Sequence, residues 1–456
     1  MLPLAEFRRL DLNSEEQGVP VQRLMANAGK ALAEAARTMS KGPVVVLCGK
    51  GNNGGDGYAA AGVLRRWGIP THVVAVEPPA KGTVAAGYAD LLDDVRPWGK
   101  DRRAWADADL VIDCMLGSGI RGRPRPPYDQ AIRWADQRRV LACDVPSGWQ
   151  TARAIKPERT VTFHAKKEGM GRECGDVVVA DIGIPEAAGH VGLGDLDAGY
   201  VRPGDEGHKG QHGRVLVVGG GPFTGAPHYA GMGAIRTGAD LVHVATTDRA
   251  ARVIESWGPE LIVHGVTDAD HLGPDCIEAV VALAERADAL VIGPGLGGHA
   301  DSPDFVRRLL DATDHPAAID AEALQALKGT KHGHRIVATP HGGEFQKMAG
   351  RRKPETWAKQ TGAVLLRKGV PDLITDGART RPCHRGHPTM TVGGTGDVLA
   401  GAVGALLAKG ADRFDAACAG AYLVGCAGEV AASLRSFGAT AADVHEAIPA
   451  VLLRLP

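Results

Sequence analysis

The sharpest chemical signal in the chain is VGGTGDVLAG, residues 392–401. Gly393, Gly394 and Gly396 permit a tight turn at a helix start, where free N–H groups and the helix dipole favour phosphate or developing negative charge. Asp397 falls in the first turn, placed to accept a proton from a substrate hydroxyl. That pairing suits phosphoryl transfer, which asks a protein mainly for positioning and charge stabilisation. A glycine-rich helix start capped by Thr395 would read the same way in isolation. No Walker A sequence occurs, so a P-loop kinase is excluded.

A second glycine cluster, GKGNNGGDG (49–57), contains a literal G-x-G-x-x-G at Gly49, Gly51 and Gly54, with Glu77 closing the next apolar run. This fits the dinucleotide fingerprint, and a dehydrogenase reading competes on that basis. Asn52, Asn53 and Asp56 are more polar than that fingerprint needs. Asp113 and Asp144 end two further apolar runs, and Ser147 follows in the turn DVPSG. Amide oxygen, carboxylate and hydroxyl together suit a hard cation, although each aspartate alone could simply cap a helix or turn.

The elements that carry these residues are short apolar runs alternating with helices. Residues up to about Ala36 read as one helix, carrying Leu10, Leu12, Val21, Leu24, Met25 and Ala28. PVVVLC, THVVAVE, ADLVIDC, RRVLACD, TVTFHA and DVVVADIG then read as strands. A second series follows from RVLVV through ADLVHVATT, ADALVIG, AAID, RIVAT, AVLLR and DLIT, and the chain closes in small-residue helices. Continuous apolar strands alternating with helices predict parallel α/β sheets covered on both faces. At 456 residues two domains are expected, with a linker between Ile184 and Gly213 and the boundary near Pro203, giving 1–203 and 204–456.

A net charge of −1 argues against nucleic acid as the main partner. The basic clusters at Arg121–Arg125 and Lys166–Lys167 read as solvated surface unless they lie beside a pocket. Eight scattered cysteines without a C-x-x-C pair read as reduced, mostly buried thiols. No leader and no long apolar stretch is evident, so a cytoplasmic protein without a membrane span is expected.

GNNGGDGYAAAGVLRRWG, DCMLGSGIRG, DVPSG and TVTFHAKKEGM resemble, in order and spacing, the NAD(P)HX epimerase domain, the YjeF N-terminal family. The resemblance covers about Met1 to Pro185 and implies a Rossmann-like three-layer αβα sandwich. It implies a substrate of hydrated NADH or NADPH, whose R and S epimers at nicotinamide C6 are interconverted. Asn52, Asn53, Gly54, Gly55 and Asp56, with the loop Gly117, Ser118, Gly119, Ile120, Arg121, Gly122 and Arg123, would line its pocket. Asn53, Asp113 and Ser147 would hold K+, and Asp144 would contact substrate and transfer the proton. The chain departs from the family at Ala26, where glutamate is usual, and at KKEGM, which replaces Lys-Pro-Gly.

VGGTGDVLAG resembles the anion-hole motif of ribokinase-like kinases. The blocks HKGQHGRVLVVGGGPFTGAP, VIGPGLG, DAEAL, ATPHGGEF, LLRKG and GGTGDVLAGAVGALLAKG resemble, more specifically, the NAD(P)HX dehydratase domain. That resemblance implies phosphorylation of the C6 hydroxyl and elimination of phosphate, restoring NAD(P)H. The donor would be ADP, leaving AMP, with ATP the alternative. Ala226, Gly295 and His341 would contact the hydrated nucleotide; Lys368, Gly369, Val370, Pro371, Asp372 and Gly396 the adenine nucleotide; Asp397 would be the base. Mg2+ would bridge the phosphates, with Glu344 in its outer shell. The partners implied are NAD(P)HX and an adenine nucleotide, and a homo-oligomer is expected. The competing reading is a ribokinase-like small-molecule kinase carrying a non-catalytic nucleotide-binding N-terminal domain.

Overall fold

The computed structural model describes residues 1–99, 105–119, 122–203 and 208–455. The chain divides into two compact units, Met1–Ala188 and Gly189–Pro456.

In the first unit seven strands form one parallel sheet: β1 (Val44–Cys48), β2 (Thr71–Ala75), β3 (Arg96–Pro97), β4 (Leu110–Cys114), β5 (Val140–Cys143), β6 (Arg159–Phe163) and β7 (Asp176–Ala180). Their spatial order is β3-β2-β1-β4-β5-β6-β7. Alternate residues of β1 feed two separate cores, Val44, Val46 and Cys48 on one face and Val45 and Leu47 on the other. Helices cover both faces, so an all-apolar strand is what burial on two sides demands. Because β2 and β4 flank β1, the chain reverses direction there, and the loops after β1 and β4 open a crevice at the strands' carboxyl ends.

The second unit repeats the plan with nine strands: β8 (Arg214–Val218), β9 (Leu241–Thr246), β10 (Ile262–Gly265), β11 (Ala289–Ile292), β12 (Ala317–Ile319), β13 (Ile336–Ala338), β14 (Val364–Arg367), β15 (Asp372–Thr375) and β16 (Thr380–Cys383). The order is β10-β9-β8-β11-β12-β13-β14-β15-β16, and only the β14-β15-β16 pairings are antiparallel. The reversal point is now β8 against β9 and β11. Helix Thr395–Ala408 packs against helix Gly225–Arg236 so closely that a Cβ on Gly401 would lie 1.9 Å from the Ala230 carbonyl oxygen. That contact fixes where the helix carrying Asp397 begins.

The structure differs from the sequence reading at several points. The opening helix is two helices, Leu4–Glu16 and Val21–Met39, broken where Gly18 takes φ +81° ahead of Pro20. The division of the chain falls between Ala188 and Gly189, upstream of Pro203. Helix Leu193–Gly199 joins the second unit because Leu196 enters its core and Asp195 pairs with Arg381 at 2.6 Å. Strands β3, β10 and β16 did not stand out, because β3 has two residues and the apolar runs of β10 and β16 are broken by His264 and Arg381. Among the described residues one helix, Arg413–Gly438, is long and apolar enough to cross a membrane, but 78% of its apolar window is buried in the fold. All eight cysteines are free and buried.

Substituting Gly401→Ala should force these two helices apart and destabilise the second unit by about 1–3 kcal/mol, read as a lowered midpoint in urea unfolding.

Candidate active sites

In the first unit, β1 runs through Gly49-Lys50-Gly51 into helix Asn52–Arg66. Backbone crowding dictates the glycines: a Cβ on Gly49 would lie 1.9 Å from the Met115 carbonyl oxygen, and one on Gly54 would lie 1.9 Å from that of Gly49. Over this turn lies a cavity of about 720 Å³. Asn52, Asn53 and Asp56 line it from the glycine turn and Gly117, Ser118 and Gly119 from the loop after β4; Asp144 follows β5.

Beneath the cavity Asp113 is fully buried. Its carboxylate accepts from Ser147 Oγ at 2.6 Å, Ser147 N at 2.8 Å and Met115 N at 3.2 Å. Burial lifts its pKa to about 6 against the pull of those donors. Asn53 has both amide atoms buried without a hydrogen-bond partner.

The electrostatic centre of the cavity is Lys167. Its side chain is 2% exposed, ion-paired with Asp144, hydrogen-bonded to Thr162 Oγ1 at 2.8 Å and set 4.2 Å from the Phe7 ring centroid. Lys166–Lys167 thus lies beside a pocket, and Lys167 belongs to the cavity instead of the solvated surface. Asp144 itself sits in a left-handed backbone conformation, φ +63°. Asp11 also faces the cavity, and burial and then Asp144 raise its pKa to about 6. Burial drives the Asp56 carboxyl well above its ordinary range, with Asp144 and Asp11 adding to the effect.

In the second unit the carboxyl ends of β12, β13 and β14 meet the start of helix Thr395–Ala408. Asp320 follows β12, His341 lies beyond β13 and Lys368 follows β14. Lys368 Nζ donates to Asp320 Oδ1 at 2.8 Å, which also accepts from Thr339 Oγ1 at 2.9 Å. A Cβ on Gly396 would stand 3.1 Å from Lys368 Nζ, so the helix start presses directly on this pair. Gly394 provides the turn with φ +99°. Burial, then Asp320, raise the Asp397 pKa to about 7, while Lys368 pulls it down. A cavity of about 620 Å³ is lined by Asp320, His341, Lys368, Gly369, Val370, Pro371 and Asp372 together with Gly393–Asp397. Burial also lifts Asp372 to about 6.

Several expected contacts fall elsewhere. Gly54 and Gly55 lie below the first cavity, against Gly49 and Met25, because their spacing serves close packing. Gly122 and Arg123 are exposed and absent from that cavity's wall, and Ile120 and Arg121 lie outside the described residues. Ala226 and Gly295 meet each other, at 3.3 Å for a Cβ on Gly295, at the β8–β11 reversal instead of in the cavity with His341. His341 and Glu344 cap helix Gly342–Ala349 reciprocally. Sequence reasoning missed Asp11, Lys167 and Asp320. Asp320 was detectable, since it ends an apolar run as Asp113 and Asp144 do; nothing local marks Asp11. His384 and His387 also line the second cavity.

These features define a class: a three-layer nucleotide-binding unit ahead of a ribokinase-like unit. A family model described as NAD(P)H-hydrate dehydratase matches residues 215–450, and one described as YjeF-related protein N-terminus matches residues 21–169. The bifunctional NAD(P)H-hydrate repair enzyme of Archaeoglobus fulgidus is 38% identical over 461 residues, covering 98% of each chain. That of Pyrobaculum aerophilum is 37% identical, covering 97% of this chain and 96% of its own. The crystal structure of ADP/ATP-dependent NAD(P)H-hydrate dehydratase from Bacillus subtilis, co-crystallised with ATP/Mg2+, is 26% identical with a TM-score of 0.52, covering 59% of this chain and 98% of that one. The chain belongs to the family of bifunctional NAD(P)H-hydrate repair enzymes.

Folding opposes ionisation of Asp397, whose pKa rises from 3.8 to about 7. Its contribution is therefore most favourable below 3.8 and is lost as pH rises through about 7. Asp397→Asn should gain stability relative to the unsubstituted protein across that window, measured by urea unfolding at a series of pH values.

Proposed function

We propose that the protein repairs hydrated nicotinamide nucleotides, interconverting the R and S epimers of NAD(P)HX in the first unit and dehydrating the S epimer in the second. The observation that carries this reading is Asp397 at a glycine-formed helix N-terminus, beside the Lys368–Asp320 pair and over a nucleotide-sized cavity. A base with its pKa near 7 is matched to removing a hydroxyl proton at neutral pH.

Asp397 takes the proton from the C6 hydroxyl as that oxygen attacks the terminal phosphorus of ADP, and AMP departs. Lys368 and the N–H groups from Gly394 onward offset charge on the transferring phosphoryl. The C6–O bond then breaks as C5 gives its proton to the departing phosphate and the C5=C6 double bond forms, restoring the dihydropyridine. Carboxylate oxygens of Asp320, Glu322 and Glu344 act on Asp397, and such hard donors fit Mg2+, which when bound neutralises phosphate charge. In the first unit Asp144, held by Lys167, is the proton-transfer group. The unpartnered amide of Asn53, with buried Asp113 and Ser147, fits K+, which would hold the glycine turn against the DVPSG turn. A cytoplasmic homo-oligomer completes the reading.

With (6S)-NADHX, Mg2+ and either ADP or ATP, NADH absorbance should return; ADP is expected to serve better and to yield AMP and phosphate. Failure with both donors would refute the dehydratase assignment. Asp397→Asn should slow turnover by about 10²–10⁴-fold. Asp144→Asn should abolish R-to-S conversion and leave dehydration of the S epimer intact, as followed by chromatographic separation of the epimers.

A further inference from the structure

The first helix presents two distinct faces. Asn13 donates to the Ala188 carbonyl at 2.9 Å on one side. Leu4, Phe7, Arg8 and Asp11, at spacings of three, one and three, form the other side and all line the cavity. The helix is held there from its start: Leu2 N donates to the Lys166 carbonyl at 2.9 Å and Glu168 N donates back to Leu2 at 2.9 Å. One turn later Phe7 covers the Lys167 ammonium, and a further turn brings Asp11 to the same cavity. Asp11 thus enters from a helix, whereas Asp144 enters from the end of β5.

The chemistry of inversion at C6 calls for such a pair. C6 of the hydrate carries a hydroxyl next to the ring nitrogen N1. An acid can protonate that hydroxyl so that it leaves as water while the N1 lone pair forms the N1=C6 iminium. A second water then adds to the opposite face of C6, the N1=C6 electron pair returns to nitrogen, and a base accepts the added water's proton. One neutral carboxylic acid and one carboxylate, on two walls of one cavity, are sufficient.

We propose that Asp11 is the second proton-transfer residue of the epimerase site, working across the cavity from Asp144. This rests on the epimerase reading of the first unit. Asp144 is tied to the buried ammonium of Lys167 as an ion pair, which suits it to the base role in one direction. Asp11 stands exposed at the cavity rim, where partial desolvation and then the Asp144 charge raise its carboxyl to about 6 against the pull of Lys167. Asp56 and Lys50 are the other charged cavity-lining groups that join this field from the glycine turn, and Arg8 does so from the helix itself. Reversal of the reaction exchanges the two roles.

The test follows epimer interconversion by the full chain in oxygen-labelled water without adenine nucleotide. Expected results are label incorporation with each inversion, a rate that falls as pH rises through about 6, and an Asp11→Asn variant slowed about 10²–10⁴-fold in kcat with KM unchanged and that limb absent. Asp11→Glu should restore the limb at a shifted pH. A purely structural role would instead alter KM or the unfolding midpoint and leave the pH profile in place. Inversion without label, or Asp11→Asn with the original kcat and profile, overturns the proposal. If Asp11→Asn does not fold, the labelling result and the Asp11→Glu profile decide it. Absence of interconversion by the unsubstituted protein is a different outcome, which refutes the epimerase reading itself.

Discussion

Both units gather more carboxylates than cations at the carboxyl ends of a parallel sheet, with Asp113 and Asp320 buried among them, and the cost of holding that charge away from water governs the rest of their design. In the first unit Asp11, Asp56 and Asp144 share Lys167. In the second, Asp320, Glu344 and Asp397 act on Lys368. An isolated ion in a low-dielectric interior is expensive, so such clusters persist only where protons, backbone donors or ligands take up the excess. Desolvation lifts the pKa values of Asp11, Asp113, Asp372 and Asp397 from the ordinary carboxylate range to about 6 or 7, and the protons they hold in consequence relieve the excess charge. The same displacement makes these groups useful for proton transfer at neutral pH.

The two sites use the strand-end architecture differently. The first cavity sits over the reversal between β1 and β4, where Gly49 presses on Met115 and no side chain can intervene. The phosphoryl-transfer cavity lies away from the corresponding β8–β11 reversal, over β12 to β14 and the antiparallel extension. Ala226 and Gly295 remain at the reversal itself. The reacting groups and the loops expected to hold the hydrated nucleotide thus stand on neighbouring strands of one rigid sheet. That arrangement positions reactants better than a mobile loop could.

Much of this was legible because strands buried on both faces write themselves as unbroken apolar runs. β1, β4, β5, β8 and β11 each stood out for that reason, and Asp113, Asp144 and Asp397 stood out as polar residues at their ends or at a glycine turn. The short edge strands were hidden, since Arg96–Pro97 and Thr380–Cys383 lack apolar content. Lys167 was misjudged because neighbouring lysines usually snorkel to water, whereas here Thr162, Asp144 and the Phe7 ring together replace solvent. Asp11 had no local mark at all. Its position follows from how a whole helix docks, which one-dimensional spacing does not encode.

The turn before Asp397 leans on residues far away in the chain. A Cβ on Gly394 would come within 2.7 Å of the Tyr229 ring and 2.8 Å of Ala441 Cβ. Ala441 opens the last helix, Ala441–Leu452, which contributes no wall to the cavity. Sequence drift at positions 229, 394 and 441 is therefore mutually constrained: bulk admitted at one can be tolerated only by retreat at another. Among distant members of the family these three positions should change together or not at all, so that the closing helix carries an inherited record of the anion-binding turn it never touches with substrate.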